Sequence, residues 1–332
     1  MPLADDHGVL AVDSGGSGLR VALGTAGRGA LAQRSSAVPV RTGGQGIDPT
    51  HLMGQLVPLV EALAAETGIG RPQTAVVGAA GFSTLGDALR ATLPSSLARE
   101  FGVRTTALAA DAVTAYAGAL GQWPGAVLAA GTGVIAVGTD LSAWRRADGW
   151  GHLLGDCGGG AWIGRAGLEA ALRAHDGRSE GSAALLVRAR EQFGPLSGLP
   201  GRLYPRPDRA AVLASFAPQV AACAPADPVA AGILRAAARH MADSAAAVCP
   251  ADGEPSAGGE VCLAVTGGLL RVGEPLVVPL EEELARRLPY ARRVPAEGDP
   301  LHGAVRIGIA LASNALALPH DQTMLYVVHH AP

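Results

Sequence analysis

The sequence contains no lysine: all 26 of its basic residues are arginine. That absence excludes whole mechanisms. A Walker-type phosphate loop needs its lysine, a protein-kinase lobe needs its strand lysine, and a Schiff-base enzyme needs an amine. If this chain handles ATP, it must do so with backbone amides, metal and arginine. Cysteine is scarce as well. Cys157, Cys223, Cys249 and Cys262 show no C-x-x-C spacing, which signals neither a zinc site nor an iron–sulfur cluster. Reduced thiols in a cytoplasmic protein fit that usage. Excess basic charge is missing too. A net charge of −3 gives no footprint for nucleic acid or an anionic membrane. No apolar run reaches the ~20 residues of a membrane span. The Ala-rich segment Val229 to Val248 is broken by Arg235, Arg239, His240 and Asp243, as in an amphipathic soluble helix. The opening MPLADDHG lacks the basic stretch that starts a signal peptide.

What is present begins with Val9 to Gly24, VLAVDSGGSGLRVALG. Two apolar runs flank a Gly/Ser-rich turn, which predicts a β-hairpin. Val9 to Val12 is apolar on both faces, as a strand in the middle of a covered sheet would be. Glycines let successive N–H groups turn toward one anion, and Asp13 at the strand end suits a cation held through water. An ordinary hairpin turn explains this stretch equally well when it is taken alone. Val127 to Gly138, VLAAGTGVIAVG, repeats the order of strand, Gly/hydroxyl turn and strand. It carries Gly131 where the first carries Asp13. Two related hairpins predict two related lobes, with both turns closing on one polyphosphate.

Between them, strands alternate with helices, which argues an α/β lobe. Thr50 to Thr67 has the helical period, Thr74 to Ala80 is a strand ending at Gly81, and Ala88 to Phe101 reads as helical in two pieces broken at Pro94. Val103 to Ala109 is a strand that delivers Asp111. Ligands in such lobes sit at the carboxyl ends of strands, where Asp13, Gly81 and Asp111 fall. Asp111 is open to two readings: an N-cap of the following helix, or a base that accepts a proton from a hydroxyl nucleophile. A third stretch, DGWGHLLGDCGGGAWIGRAG from Asp148 to Gly167, is too Gly-rich for regular structure at its start. Trp150 offers a flat face and Asp156 an acceptor, which suits a sugar; a mobile surface loop is the alternative. Later, Val261 to Thr266 is a strand ending in Gly267-Gly268, where a flat ligand can lie close to the backbone. Asp299-Pro300 begins a helix expected to run to about Leu318, and Met324 to Val328 is a last strand.

The order of these segments resembles the N-acetylglucosamine kinase family. That family lies within the activator-type ATPases related to the benzoyl-CoA reductase activator and within the sugar kinase, actin and heat-shock chaperone ATPase superfamily. DSGGSG, AADAV, AGTGV, GWGHLLGD, VTGGLL and DPLHGAVRIG stand in the family's order. The resemblance implies a two-lobed α/β fold of ribonuclease-H-like (actin-like) type with a central cleft. Its lobes would span 1–118 and 119–318, with a tail 319–332 that returns to the first. It implies a first phosphate loop at Ser14, Gly15, Gly16 and Ser17, with Asp13 organising Mg²⁺, and a second at Gly131, Thr132 and Gly133. Gly267 and Gly268 would hold the adenosine of ATP, and Asp111 would be the catalytic base. Gly81, Gly149, Trp150 and Asp156 would meet an amino sugar. The implied protein is cytoplasmic, with neither nucleic acid nor membrane as partner and with a homodimer left open.

Departures accompany the resemblance. Ser14 stands where the family has Gly, Val134 where it has Ser, and Cys157 where an acid is common. Arg41 falls where relatives carry an Asn that contacts the sugar, and an Arg there suits an anionic group. N-acetylmuramic acid and a plain hexosamine therefore stay beside N-acetylglucosamine as substrates. An activator ATPase and a catalytically dead sugar sensor are the other classes. The cysteine pattern does not supply the activator's cluster, and intact Asp13 and Asp111 argue against the sensor.

Overall fold

The computed structural model describes residues 7–15, 18–44, 46–251 and 260–330. β1 (Gly8–Gly15) and β2 (Gly18–Thr25) form the expected hairpin, in register from Gly8 opposite Thr25 to Gly15 opposite Gly18. β3 (Gly29–Ser36) extends the meander. A small ribbon, β4 (Thr42–Gly43) with β5 (Gly46–Ile47), leads into α1 (Pro49–Thr67). Asp48 caps that helix, accepting from the N–H groups of Thr50 and His51. β6 (Thr74–Ala79) pairs parallel with β1; after α2 (Phe82–Leu85) and α3 (Asp87–Phe101), β7 (Thr105–Ala110) pairs parallel with β6. α4 (Asp111–Leu120) follows directly.

The second half repeats the plan. β8 (Gly125–Ala130), β9 (Val134–Thr139) and β10 (Trp144–Asp148) form another meander. A helical layer intervenes: α5 (Gly160–His175), α6 (Ala183–Phe193), α7 (Leu199–Leu203), α8 (Arg209–Ala214), α9 (Ala217–Cys223) and α10 (Pro228–Val248). β11 (Cys262–Thr266) then pairs parallel with β8, and after α11 (Glu274–Arg287), β12 (Arg292–Val294) pairs parallel with β11. α12 (Pro300–Ala312) and β13 (Leu325–His329) cross back, the strand running antiparallel to β7. The strand orders are β13-β7-β6-β1-β2-β3 and β10-β9-β8-β11-β12. Without β13 the two sheets are topologically the same. The protein has the two-lobed actin-like ATPase fold, with mixed α/β sheets.

α4 lies between the sheets. Every residue from Ala112 to Leu120 is buried, as expected of a helix apolar all round. Val127, Val137, Cys262 and Ala264 of the second sheet share a core with the first sheet. α12 packs across α4 and over β1 and β6. The crossing requires glycine: a Cβ on Gly303 would stand 1.8 Å from the Thr114 carbonyl. Two expectations are corrected. Residues 87–101 form one helix through Pro94, because buried Leu89, Leu93 and Leu97 hold both sides of the proline on the core. α12 stops at Ala312 instead of Leu318. Asn314 turns left-handed (φ 50°) and the Ala315 N–H closes on the Ala310 carbonyl at 2.8 Å. Among the described residues, no single helix is long and apolar enough to cross a membrane.

Candidate active site

Strand ends of both sheets converge on a cavity of about 320 Å³. Five residues singled out in the sequence line it: Gly81, Asp111, Gly133, Gly149 and Asp156. Ser83, Thr84 and Arg146 line it as well.

Asp111 follows β7 and is the first residue of α4; Ala110 holds the cap position without a side-chain bond. The Ala112 N–H donates to Asp111 Oδ1 at 2.9 Å, and the Thr114 hydroxyl donates to the Asp111 carbonyl at 3.0 Å. The carboxylate thus supports the first turn of the helix and faces the cavity at once. Burial raises its pKa above the ordinary aspartate value, and the charge of Asp13 adds to the rise. The Ala112 N–H and the Arg146 charge oppose it.

The second turn is tied to its neighbours. Gly131 N–H donates to the Gly133 carbonyl at 2.8 Å. The first amides of α5, Gly160 and Ala161, donate to the carbonyls of Gly131 and Thr132 at 2.9 Å each. Asp156 lies directly against this turn: a Cβ on Gly133 would stand 2.3 Å from Asp156 Oδ2. Asp156 itself is left-handed (φ 55°). Its Oδ1 accepts from the Gly151 N–H at 3.1 Å. Burial raises its pKa, opposed by that same N–H. Asp148 staples the loop, accepting from the N–H groups of Asp156 at 2.6 Å and Cys157 at 2.8 Å.

Arg146, which the sequence reading passed over, bridges the halves. Its Nη1 donates to the Ser83 hydroxyl at 2.8 Å and its Nε to the Asp148 carbonyl at 3.2 Å. Its guanidinium stands 4.4 Å from the Trp150 ring centre, a cation–π contact. Trp150 is 62% exposed and stands outside the cavity lining. The one available signal was position: Arg146 sits in the strand that feeds the Gly/Trp loop. Arg41 is exposed on the edge of the small ribbon and does not line the cavity; its N–H donates to His51 Nδ1.

At the first turn, Ser14 is buried in the ladder and its carbonyl accepts from the Ala80 N–H at 3.0 Å. Gly15 ends β1, and among the described residues nothing stands within 4 Å of a Cβ placed there. Gly16 and Ser17 lie outside the described residues. Asp13 Oδ2 accepts from Arg20 Nε at 2.9 Å and Nη2 at 2.6 Å. Burial raises the Asp13 pKa, with Arg20 opposing. Gly267 follows β11 and abuts the end of β8, so that a Cβ there would meet the Ala130 carbonyl at 2.1 Å. Gly268 starts the next one-turn helix.

Two sheets of one topology, with strand ends of both at one cavity, define the class: an actin-like ATPase fold. The chain matches the BadF/BadG/BcrA/BcrD ATPase family over residues 10–307 and belongs to it. A structure from Chromobacterium violaceum, an inferred N-acetylglucosamine kinase, superposes with a TM-score of 0.67 at 24% identity, covering 90% of this chain and 98% of that one. A ROK family glucokinase from Streptomyces griseus, in complex with glucose and AMPPNP, gives 0.53 at 20% identity over 92% and 98%. Both likenesses concern the fold. A curated relative from Clostridium acetobutylicum, an N-acetylmuramic acid/N-acetylglucosamine kinase, is 39% identical over 71 residues. That match spans 21% of this chain and 23% of the relative.

Proposed function

We propose that the protein is an ATP-dependent amino-sugar kinase that moves the γ-phosphate of ATP to a hydroxyl of N-acetylglucosamine, giving the 6-phosphate. The observation that carries this reading is the cavity itself. A desolvated carboxylate, Asp111, shares about 320 Å³ with Gly133 of a phosphate-sized turn and with a second carboxylate, Asp156. Phosphoryl transfer asks a protein for positioning, charge neutralisation and an orienting base. Asp111 accepts the proton of the attacking hydroxyl. Asp156 accepts hydrogen bonds from ring hydroxyls, with Gly81 and Gly149 beside it and Trp150 and Arg41 at the margin. Amides of Ser14, Gly15, Gly16 and Ser17 on one side, and of Thr132 and Gly133 on the other, take the phosphates, while the Gly131 N–H holds the second turn closed on the Gly133 carbonyl. Gly267 and Gly268 flank the adenosine. Mg²⁺, when bound, neutralises phosphate charge. Asp13 fits the role of holding it through water, because among the described residues nothing donates to its Oδ1. Closure of units near 1–118 and 119–318, with α12 and the tail 319–332 packed on the first, excludes water from the transfer. The reaction belongs in the cytoplasm, in a monomer or a homodimer.

A second reading is favoured by Arg146. Its guanidinium lines the cavity, and such a fork pairs well with a carboxylate, as N-acetylmuramic acid would present. An activator-type ATPase has less support: Cys249 and Cys262 are buried, and burial pushes the Cys249 thiol up to about 11. A coupled ADP-release assay over N-acetylglucosamine, N-acetylmuramic acid, glucosamine and glucose tests the choice. The highest kcat/KM is expected with N-acetylglucosamine. Preference for N-acetylmuramic acid selects the second reading, and ADP release that no sugar stimulates rejects a kinase.

A further inference from the structure

We propose that Arg20 is the positioning residue at the metal-and-phosphate end of the site. It fixes the Asp13 carboxylate with one oxygen left for a ligand and ties that carboxylate to the start of α12. The inference rests on the reading of Asp13 given above.

The placement begins in the hairpin register. Asp13 on β1 lies directly opposite Arg20 on β2, so both side chains leave the same face of the sheet. A slip of one residue would send one of them to the other face. The guanidinium then uses its fork. Nε and Nη2 both donate to Asp13 Oδ2, at 2.9 and 2.6 Å, and Nη1 donates to Asp299 Oδ2 at 2.5 Å. Asp299 Oδ1 meanwhile caps α12 by accepting from the His302 N–H at 2.9 Å. A lysine, a single point charge, could not span three such contacts in a fixed plane. The bonds fall on one Asp13 oxygen, and among the described residues no donor reaches the other.

Charge and packing support the same role. Two carboxylates against one guanidinium leave a net negative charge, so a cation is still attracted to Asp13. The Arg20 side chain is 40% exposed and that of Asp299 54%, and an ion pair so open to water adds little stability, so that arm supplies orientation. The Asp13 side chain is only 14% exposed, so the other arm both partners a largely buried carboxylate and fixes its plane. The tether also has a destination. α12 crosses α4 at Gly303 with backbone almost touching, and α4 begins at Asp111. Arg20 therefore links the carboxylate proposed for the metal to the helix pair that carries the proposed base.

The test is the Mg²⁺ dependence of ATP binding to the full chain, measured by calorimetry, with melting temperature alongside. Removing a residue that orients a metal-holding carboxylate typically costs about 10–100-fold in metal affinity. Arg20→Gln should accordingly raise the Mg²⁺ concentration for half-maximal ATP binding at least tenfold, with the fold retained. Arg20→Lys should fall between that variant and the parent, and it carries the test if Arg20→Gln does not fold. Asp299→Asn keeps the helix cap and loses one arm of the tether, so its increase should be smaller than that of Arg20→Gln. A parental Mg²⁺ requirement in Arg20→Gln overturns the proposal. A lowered requirement also overturns it, because the guanidinium would then be competing with the cation. Asp13→Asn separates the two levels. If it raises the requirement and Arg20→Gln does not, only the role of Arg20 falls. If Asp13→Asn has no effect, the reading of Asp13 falls and takes that of Arg20 with it.

Discussion

The two sheets share one strand order but end their strands in different chemistry. In the first, β1 and β7 deliver Asp13 and Asp111. In the second, β8 and β11 deliver Gly131 and Gly267. The roles proposed above would account for the division by charge: carboxylates suit protons and cations, whereas a polyphosphate is repelled by them and suits backbone N–H groups. The connections differ as well. α1 alone fills the gap between the ribbon and β6 in the first half, while α5 to α10 fill the gap between β10 and β11 in the second. The loop that carries Asp156 sits at the start of that longer connection, so the second sheet brings an acid to the cleft from a loop rather than from a strand end.

The comparison predicts unequal responses to substitution. The largest belongs to the first sheet. Asp111→Asn should lower kcat by about 10²–10⁴-fold, the usual contribution of a general base, while sugar binding by calorimetry persists. An aspartate whose pKa is raised by folding stabilises the fold below its unfolded pKa and loses that contribution as pH rises through the folded value. Neutral Asn should therefore not lower the melting temperature at pH 7. Parental kcat would leave Asp111 as a helix-turn residue only.

Next comes the contact between the second turn and its acid. Gly133→Ala drives a methyl into Asp156 Oδ2. A displacement of ~1 Å can cost about 10²-fold, which should appear in kcat/KM for the sugar; an unchanged value would mean that Asp156 is not held where it is needed. A third substitution makes the second sheet resemble the first. Gly131 faces open space, so Gly131→Asp should fold normally and weaken ATP binding by roughly tenfold or more through charge repulsion. Gly131→Ala is the uncharged control. If the two variants bind ATP alike, the contrast between acids and amides is not functional.

The smallest effect concerns pH. The acid limb of kcat should lie above the ordinary aspartate value of about 3.9, because burial raises the Asp111 pKa. The Arg146 charge opposes that rise. Arg146→Gln should move the limb to still higher pH, with activity lost earlier on acidification. A limb that stays fixed would show that Arg146 does not act on Asp111.

Local chemistry made much of this architecture readable in advance. Both hairpins follow from apolar runs split by Gly-rich turns, and the Asp299 cap with Pro300 follows from helix-end preferences. The acids at strand ends follow from the β-to-α alternation. Pro94 and the end of α12 depart from the sequence pattern for two reasons. Burial of Leu89, Leu93 and Leu97 carries one helix through its proline, and a left-handed Asn314 ends the other. Neither burial nor backbone hand is visible in a window of sequence.

Residue pattern alone determined two similar α/β halves and the acids and glycines at their strand ends, because turn residues and apolar periodicity act within a few positions. Packing decided which of these groups meet. Ser83 reaches Arg146 and Arg20 reaches Asp299 because α4, buried between the two sheets, and α12, packed across it, bring together residues far apart in the chain. Asp156 rests on Gly133 because Asp148 and the first amides of α5 tie its loop to the second turn.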